Sequence, residues 1–199
     1  MNAHSGTEYE AAAAGRKRAL LGGLHGDVLE IGPGDGPNLR YFSPDVRWVG
    51  VEPNPFMHPY LQRAIAAQGG PAQNYRIEAG DPAGRLPAGD ASVDAVVSTL
   101  VLCSVAQPEA MLREILRVLK PGGKFAFLEH VAAQPGTRLR RWQDFLAPVW
   151  AFTADGCHPN RETWKTITQA GFGEVQLEQF TYPDGWLASP HISGIAYKR

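Results

Sequence analysis

The 199-residue sequence predicts an α/β fold: a mostly parallel sheet with helices packed on both faces. Three observations lead there. Apolar, β-favouring runs alternate with helix-like stretches over most of the chain. The first of those runs ends in alternating glycines. Gly32, Glu52, Asp81, Thr99 and Glu129 each fall just past the end of a predicted strand, and open parallel sheets bind ligands at the carboxyl ends of their strands. The length suits one domain with a full core. Residues 1–24 read as a tail and covering helix, and 25–199 as a single domain in which 131–160 form an insertion on the substrate side.

Residues 1–7 read as a disordered tail, and Glu8 to Leu21 as a helix carrying an alanine run and then Arg16-Lys17-Arg18. The basic triplet reads as a solvated face near the helix C-terminus, where positive charge is mildly favoured; contact with an anion or a membrane is the other reading. The first strand, Val28 to Ile31, runs into Gly32-Pro33-Gly34-Asp35-Gly36-Pro37-Asn38. Without a Cβ, these glycines let the backbone turn sharply and a ligand press against it. Pro37 suits the first turn of a short helix to about Phe42, whose free N–H groups would favour a carboxylate or phosphate. The second strand, Arg47 to Val51, ends at Glu52, roughly 20 residues after the glycine turn, the usual spacing for an acid that holds ribose hydroxyls. Pro53 and Asn54 continue that turn.

A helix from about Pro55 or Pro59 runs to Gln68, and Tyr75 to Glu78 is a short third strand. Asp81-Pro82 follows it. A carboxylate there suits an adenine amino group, and an Asx turn is the competing reading. Ser92 to Ser98 is a largely buried fourth strand leading into Thr99-Leu100-Val101-Leu102-Cys103-Ser104. Pro108 to Leu119 is a helix with Leu112, Ile115, Leu116 and Leu119 on one face, stopped by Lys120-Pro121-Gly122-Gly123. Lys124 to Leu128 is the fifth strand. In 131–160, Leu139, Trp142, Phe145, Leu146 and Val149 step at helical intervals, and Pro148 is expected to kink or end that helix. These residues read either as plain packing or as a lid over the ligand. Arg161 to Ala170 is a helix, and Val175 to Phe180 with Ile192 to Lys198 form a closing antiparallel pair.

The net charge of −1 argues against a nucleic-acid footprint. Two cysteines, Cys103 and Cys157, make neither a disulfide framework nor a metal cage by themselves. No Cys/His cluster has zinc-ligand spacing, so no metal site is expected. No N-terminal apolar stretch has the length of a signal peptide or membrane span, which predicts a cytoplasmic protein. Oligomeric state is not legible.

Leu116-Arg117-Val118-Leu119-Lys120-Pro121-Gly122-Gly123, the Glu30–Gly36 loop and Asp94-Ala95-Val96-Val97 together resemble the class I S-adenosylmethionine (SAM) methyltransferases of the methyltransferase type 11 group. Ser98 to Val105, Glu129-His130-Val131-Ala132-Ala133, Asp155-Gly156-Cys157 and Pro190-His191-Ile192 are similar to the methyltransferase-like thiol S-methyltransferases of animals. Those animal proteins carry an N-terminal apolar anchor that residues 1–24 do not resemble. The resemblance implies the Rossmann-like, seven-stranded class I methyltransferase fold with one antiparallel strand, SAM as cofactor, S-adenosylhomocysteine as product, and a small-molecule methyl acceptor. A thiol is the favoured acceptor. An O- or N-methyltransferase of a natural product or lipid head group, and a non-catalytic SAM-binding protein, are the alternatives.

The resemblance also assigns residues. Glu30, Gly32, Pro33, Gly34, Gly36 and Asn38 would border the methionine carboxylate. Glu52, Pro53 and Asn54 would border the ribose, Asp81 and Pro82 the adenine, and Thr99 and Leu100 the methionine chain and methyl. A thiol acceptor must lose its proton, and His130 is the candidate base, the competing role being to order the turn after the fifth strand. Asp155 would orient or replace it, or else make a turn hydrogen bond. Cys103, Trp142, Phe145, Trp150 and His191 are the candidate acceptor pocket; Cys103 also reads as a small buried apolar residue.

Overall fold

The computed structural model describes residues 3–81, 83–182 and 186–199. Its single sheet has seven strands: β1 (Asp27–Ile31), β2 (Arg47–Val51), β3 (Tyr75–Glu78), β4 (Val93–Thr99), β5 (Leu119–His130), β6 (Glu174–Thr181) and β7 (Pro190–Tyr197). Their spatial order is β3-β2-β1-β4-β5-β7-β6. β1 through β5 pair in parallel, while β7 runs antiparallel to both β5 and β6. This is the expected seven-stranded α/β arrangement. Strand order reverses between β1 and β4, so the loops after these two strands flank the crevice where such sheets bind ligands.

Period-two alternation divides the core. Leu29, Ile31, Val96, Phe125 and Phe127 face the side covered by α3 (Pro108–Val118) and α5 (Thr163–Gln169). Val28, Trp48, Ala95, Val97 and Ala126 face α1 (Ala3–Leu21) and α2 (His58–Ala66). On α3, Leu112 and Ile115 are fully buried; each is worth about 1.5–3 kcal/mol relative to exposure. Leu119 takes extended torsions and opens β5 directly, with Gly122 at φ 75° and its N–H on Lys198 O. The Pro-Gly-Gly stop thus lies inside the strand.

Several local expectations change. The tail is not separate: α1 is helical from Ala3. Its basic triplet is not a uniformly solvated face. Lys17 is buried and pairs with Glu10, and Arg16 pairs with Glu178 with its guanidinium 3.7 Å over the Phe180 ring. Only Arg18 of the three is exposed. The helix expected after the glycine loop is a single 3-10 turn, Leu39–Tyr41, too short to carry a helix dipole. The insertion forms α4 (Arg138–Thr153), which runs through Pro148 instead of ending there. Pro82 lies outside the described residues.

Candidate active site

The glycine loop is built for close approach. Gly32, Gly34 and Gly36 all have positive φ (59°, 59° and 86°), a region costly for residues with a Cβ. Their surroundings differ. A Cβ on Gly32 would lie 2.8 Å from Val101 Cγ2, and one on Gly36 would be 2.9 Å from Leu39 and Leu61, so both serve packing. A Cβ on Gly34 would meet nothing within 4 Å. Gly34 is therefore the glycine with an open side, and its N–H donates to Glu52 Oε2 at 2.9 Å. Glu52 Oε1 accepts from Asn54 N at 2.8 Å. The carboxylate is 5% exposed, at the tip of β2. An ionised carboxylate has about four acceptor sites, so both oxygens retain capacity for sugar hydroxyls. Pro53 closes against Gly80, where a Cβ would come within 2.8 Å of the Pro53 ring; the turns after β2 and β3 thus abut.

Glu30 and Asn38 lie beneath this loop. Glu30 is buried, with Oε1 accepting from Asn38 Nδ2 (2.6 Å) and Oε2 from Trp48 Nε1 (2.9 Å). Asn38 Nδ2 also donates to Thr99 Oγ1 at 3.0 Å. Burial raises the Glu30 carboxyl above its ordinary range, partly offset by these donors and by Lys17. The pair braces the loop against β4, with both Glu30 oxygens taken by protein donors and Asn38 Oδ1 buried without a partner among the described residues. Asp81 is exposed, with Oδ1 accepting from Ala83 N at 2.8 Å, so the Asx turn forms. Leu100, past the end of β4, sits at φ 58°; backbone strain of this kind concentrates at ligand sites.

Beyond Leu100 the loop after β4, the end of β5 and the turn after α4 converge. Arg161 Nη1 donates to Leu102 O and Val105 O, and His158 N to Cys103 O. These bonds bring Cys103, His130 and Cys157 together, all buried. His130 Nε2 lies 2.8 Å from Cys157 Sγ, and Trp150 Nε1 donates to the same sulfur at 3.2 Å. Contact with Cys103 and His130 lowers the Cys157 thiol, while contact with Cys157 and burial raise the Cys103 thiol. Trp150 donates to Cys157 and His130 lies against it, so the thiolate of the pair belongs there.

His191, opposite His130 in the β5–β7 register, is buried among Tyr182 (ring centroids 4.7 Å apart), Phe180 (5.6 Å) and Tyr9 (5.7 Å). Burial lowers it to about 4, with Ser189 O opposing and His130 adding to the fall, so it is neutral at neutral pH. Next to these rings, Glu129 is buried at the end of β5. Its Oε1 accepts from Ser98 Oγ (2.6 Å) and Val101 N (3.2 Å). Glu129 Oε2, His130 Nδ1 and Tyr9 Oη are buried without a hydrogen-bond partner among the described residues.

The insertion turns an unexpected face outward. Trp142 (45% exposed) and Phe145 (74%) point to solvent, with Val149 and Phe152; Gln143 points inward. Gln143 Oε1 accepts from Ala133 N, and Nε2 donates to Val131 O and Leu187 O. Trp142 and Phe145 therefore do not line the pocket, a correction to the sequence reading, whereas Trp150 does face the sulfur cluster. Asp155 is exposed at φ 47° with no side-chain hydrogen bond to a described residue. It shapes the turn that presents Cys157 and stands apart from the cluster, contrary to the catalytic role expected of it. Tyr9 and Tyr182 are absent from the expected site, and Glu129 enters it only as an acid at a strand end, with no role assigned. An i, i+1 glutamate–histidine pair at a strand end was the one available signal for Glu129; nothing local marks Tyr9.

Comparison with known proteins agrees with this geometry. Residues 29–127 match the family described as "Methyltransferase domain". Human thiol S-methyltransferase TMT1A is 38% identical, over 96% of this chain and 81% of the relative. The rat protein TMT1B is 42% identical, over 86% and 70%. Among solved structures, YcgJ from Bacillus subtilis superposes with a TM-score of 0.70 at 17% identity, covering 96% of this chain and 99% of that one. A phosphoethanolamine N-methyltransferase from Haemonchus contortus, bound to S-adenosylhomocysteine, gives 0.69 at 16%, covering 96% and 52%; these two show the fold. The chain is a SAM-dependent methyltransferase of class I and belongs to the family of the thiol S-methyltransferases.

Proposed function

We propose that this enzyme methylates a small thiol at sulfur and that its glycine loop and Glu52 hold the SAM donor. The observation that carries the acceptor assignment is the imidazole–sulfur cluster at the ends of β4 and β5, next to the strained Leu100. Relatives 38–42% identical bear the name thiol S-methyltransferase, which supports the same reading.

The open side of Gly34 and the free acceptor capacity of Glu52 fit an adenosyl sulfonium whose sugar hydroxyls donate to the carboxylate. The Pro53–Gly80 junction and Asp81 would border adenine. SAM supplies an electrophilic methyl on a cationic sulfur. The chain's work is alignment and exclusion of water. A thiolate and a sulfonium neutralise each other as the methyl moves, so a dry site favours the transition state over the separated charges. The thiol's proton must first leave, and the cluster of His130 with its two sulfur neighbours is where we assign that step.

The test is a panel of small aliphatic thiols, phenols and amines incubated with methyl-labelled SAM. The reading predicts labelled thioethers, and a His130→Gln enzyme that still binds S-adenosylhomocysteine but turns over thiols much more slowly. Label in phenols or amines with none in thiols would refute the acceptor class.

A further inference from the structure

Cys103, His130 and Cys157 come from three separate segments, yet one ligand atom from each lies within 4.8 Å of the others, and all three residues are buried. We propose that they form a site for a thiophilic divalent cation, zinc by its chemistry, with a fourth position open to the sulfur of the acceptor. The proposal deepens the thiol reading and rests on it.

The donor set is the first argument. Two cysteine sulfurs and one imidazole make a soft N/S set that suits zinc, and three protein ligands leave one tetrahedral position for substrate. Size is the second. Zinc–sulfur bonds of about 2.3 Å and zinc–nitrogen bonds of about 2.0–2.1 Å place tetrahedral ligand atoms roughly 3.4–3.8 Å apart. The ligand atoms lie within 4.8 Å of one another, so shifts of about 1 Å or less reach that spacing, and the 2.8 Å His130–Cys157 contact must open by under about 1 Å. Support from behind is the third. Trp150 Nε1 donates to Cys157 Sγ, and a donor of this kind orients a metal ligand and still serves it as a thiolate. The Arg161 and His158 bonds hold the two loops whether or not sulfur is present, so packing alone does not call for two cysteines facing a histidine.

The charges and electrons balance. Two thiolates neutralise the dication, so an acceptor sulfur entering the fourth position arrives as a third thiolate. Its S–H bond breaks, the proton leaves to solvent, and a metal–sulfur bond forms without change of oxidation state. That sulfur keeps a lone pair for the bond to the methyl, and the electrons of the broken sulfonium bond return to the donor sulfur.

The experiment is metal analysis and cobalt substitution of the full chain, purified under reducing conditions. The expected result is about one zinc per chain, and for the cobalt form the visible absorption of a tetrahedral thiolate site. That spectrum should shift on adding a small aliphatic thiol but not the alcohol of the same shape. Cys103→Ser, Cys157→Ser and His130→Gln should each weaken zinc binding by more than the roughly 10–100-fold that loss of an outer partner costs, and Trp150→Phe by about that amount. Circular dichroism melts separate loss of the site from loss of the fold, and Trp150→Phe keeps all three ligands if a ligand variant fails to fold. Folded, reduced wild type that takes up no zinc, uptake unchanged by the ligand variants, or a cobalt spectrum indifferent to thiols would each overturn the proposal. Metal uptake is read without turnover. A zinc-free enzyme that still methylates thiols would therefore sink the metal site alone, whereas an enzyme methylating only phenols or amines would sink the thiol reading.

Discussion

Glu52→Gln isolates the contribution of one carboxylate to donor binding. In the wild type both oxygens accept backbone N–H groups, from Gly34 at 2.9 Å and Asn54 at 2.8 Å. A glutamine keeps one acceptor and turns an NH2 toward the other N–H. Leaving one half-buried or exposed donor unpaired costs at most about 1–3 kcal/mol, shared between the free and bound states because it does not depend on ligand. The ligand-dependent loss is separate: hydrogen bonds to a charged acceptor contribute about 1.5–3 kcal/mol each, and two ribose hydroxyls would lose the charge together. A net loss of about 2–4 kcal/mol corresponds to roughly 30–1,000-fold weaker binding. Calorimetric titration with S-adenosylhomocysteine measures it directly, with a melting curve to show the variant folded. A dissociation constant within threefold of wild type would refute the placement of the sugar on Glu52.

Other perturbations follow from the same geometry. Gly34→Ala should cost about 1–2 kcal/mol from its positive φ, a fall in melting temperature of about 2–8 °C; Gly34→Arg should in addition abolish donor binding, since its side chain would enter the open side of the loop. Gln143→Leu leaves Ala133 N, Val131 O and Leu187 O unpaired and should destabilise the fold by at least about 3 kcal/mol, read by denaturant titration. Acid should loosen the far end of the sheet. The Arg47 guanidinium holds Asp27 below the ordinary carboxylate range; at Asp94 burial acts upward, but Lys120 and the Asp27 N–H outweigh it. Lowered carboxyls stabilise above their unfolded pKa and lose that contribution as pH falls through the folded value. Melting temperature should therefore drop as pH falls below about 4, and Asp94→Asn should flatten that drop.

What was legible in the sequence was whatever depends on neighbours along the chain. Val28–Ile31, Arg47–Val51 and Tyr75–Glu78 combine β-favouring residues with flanking turns, so the strands and the acids at their tips follow directly. The Leu112/Ile115 stripe marks α3 for the same reason. What escaped depends on contacts across the fold. Nothing along the chain marks Gln143, and Phe145 steps with the apolar residues read as packing or lid, yet Gln143 is buried and Phe145 exposed because three backbone groups at the ends of β5 and near β7 demand an amide. Lys17 looks solvated until Glu10 is placed beside it. Cys103, His130 and Cys157 have no spacing that marks a cluster; Arg161, bonded to carbonyls in the loop after β4, helps to assemble it. Among the described residues no helix is long and apolar enough to cross a membrane.

The most direct test is a crystal structure with S-adenosylhomocysteine and a thiol or its methylated product. The sugar should lie on Glu52, and the donor sulfur should face the Cys103–His130–Cys157 cluster. The acceptor sulfur should sit between them, placed so that a methyl on the donor would lie within about 3–3.5 Å of it. A nucleoside bound elsewhere, such as the cleft of about 190 Å³ beside Asp94 and Lys120 at the opposite end of the sheet, or a donor sulfur turned away from the cluster, would contradict the account.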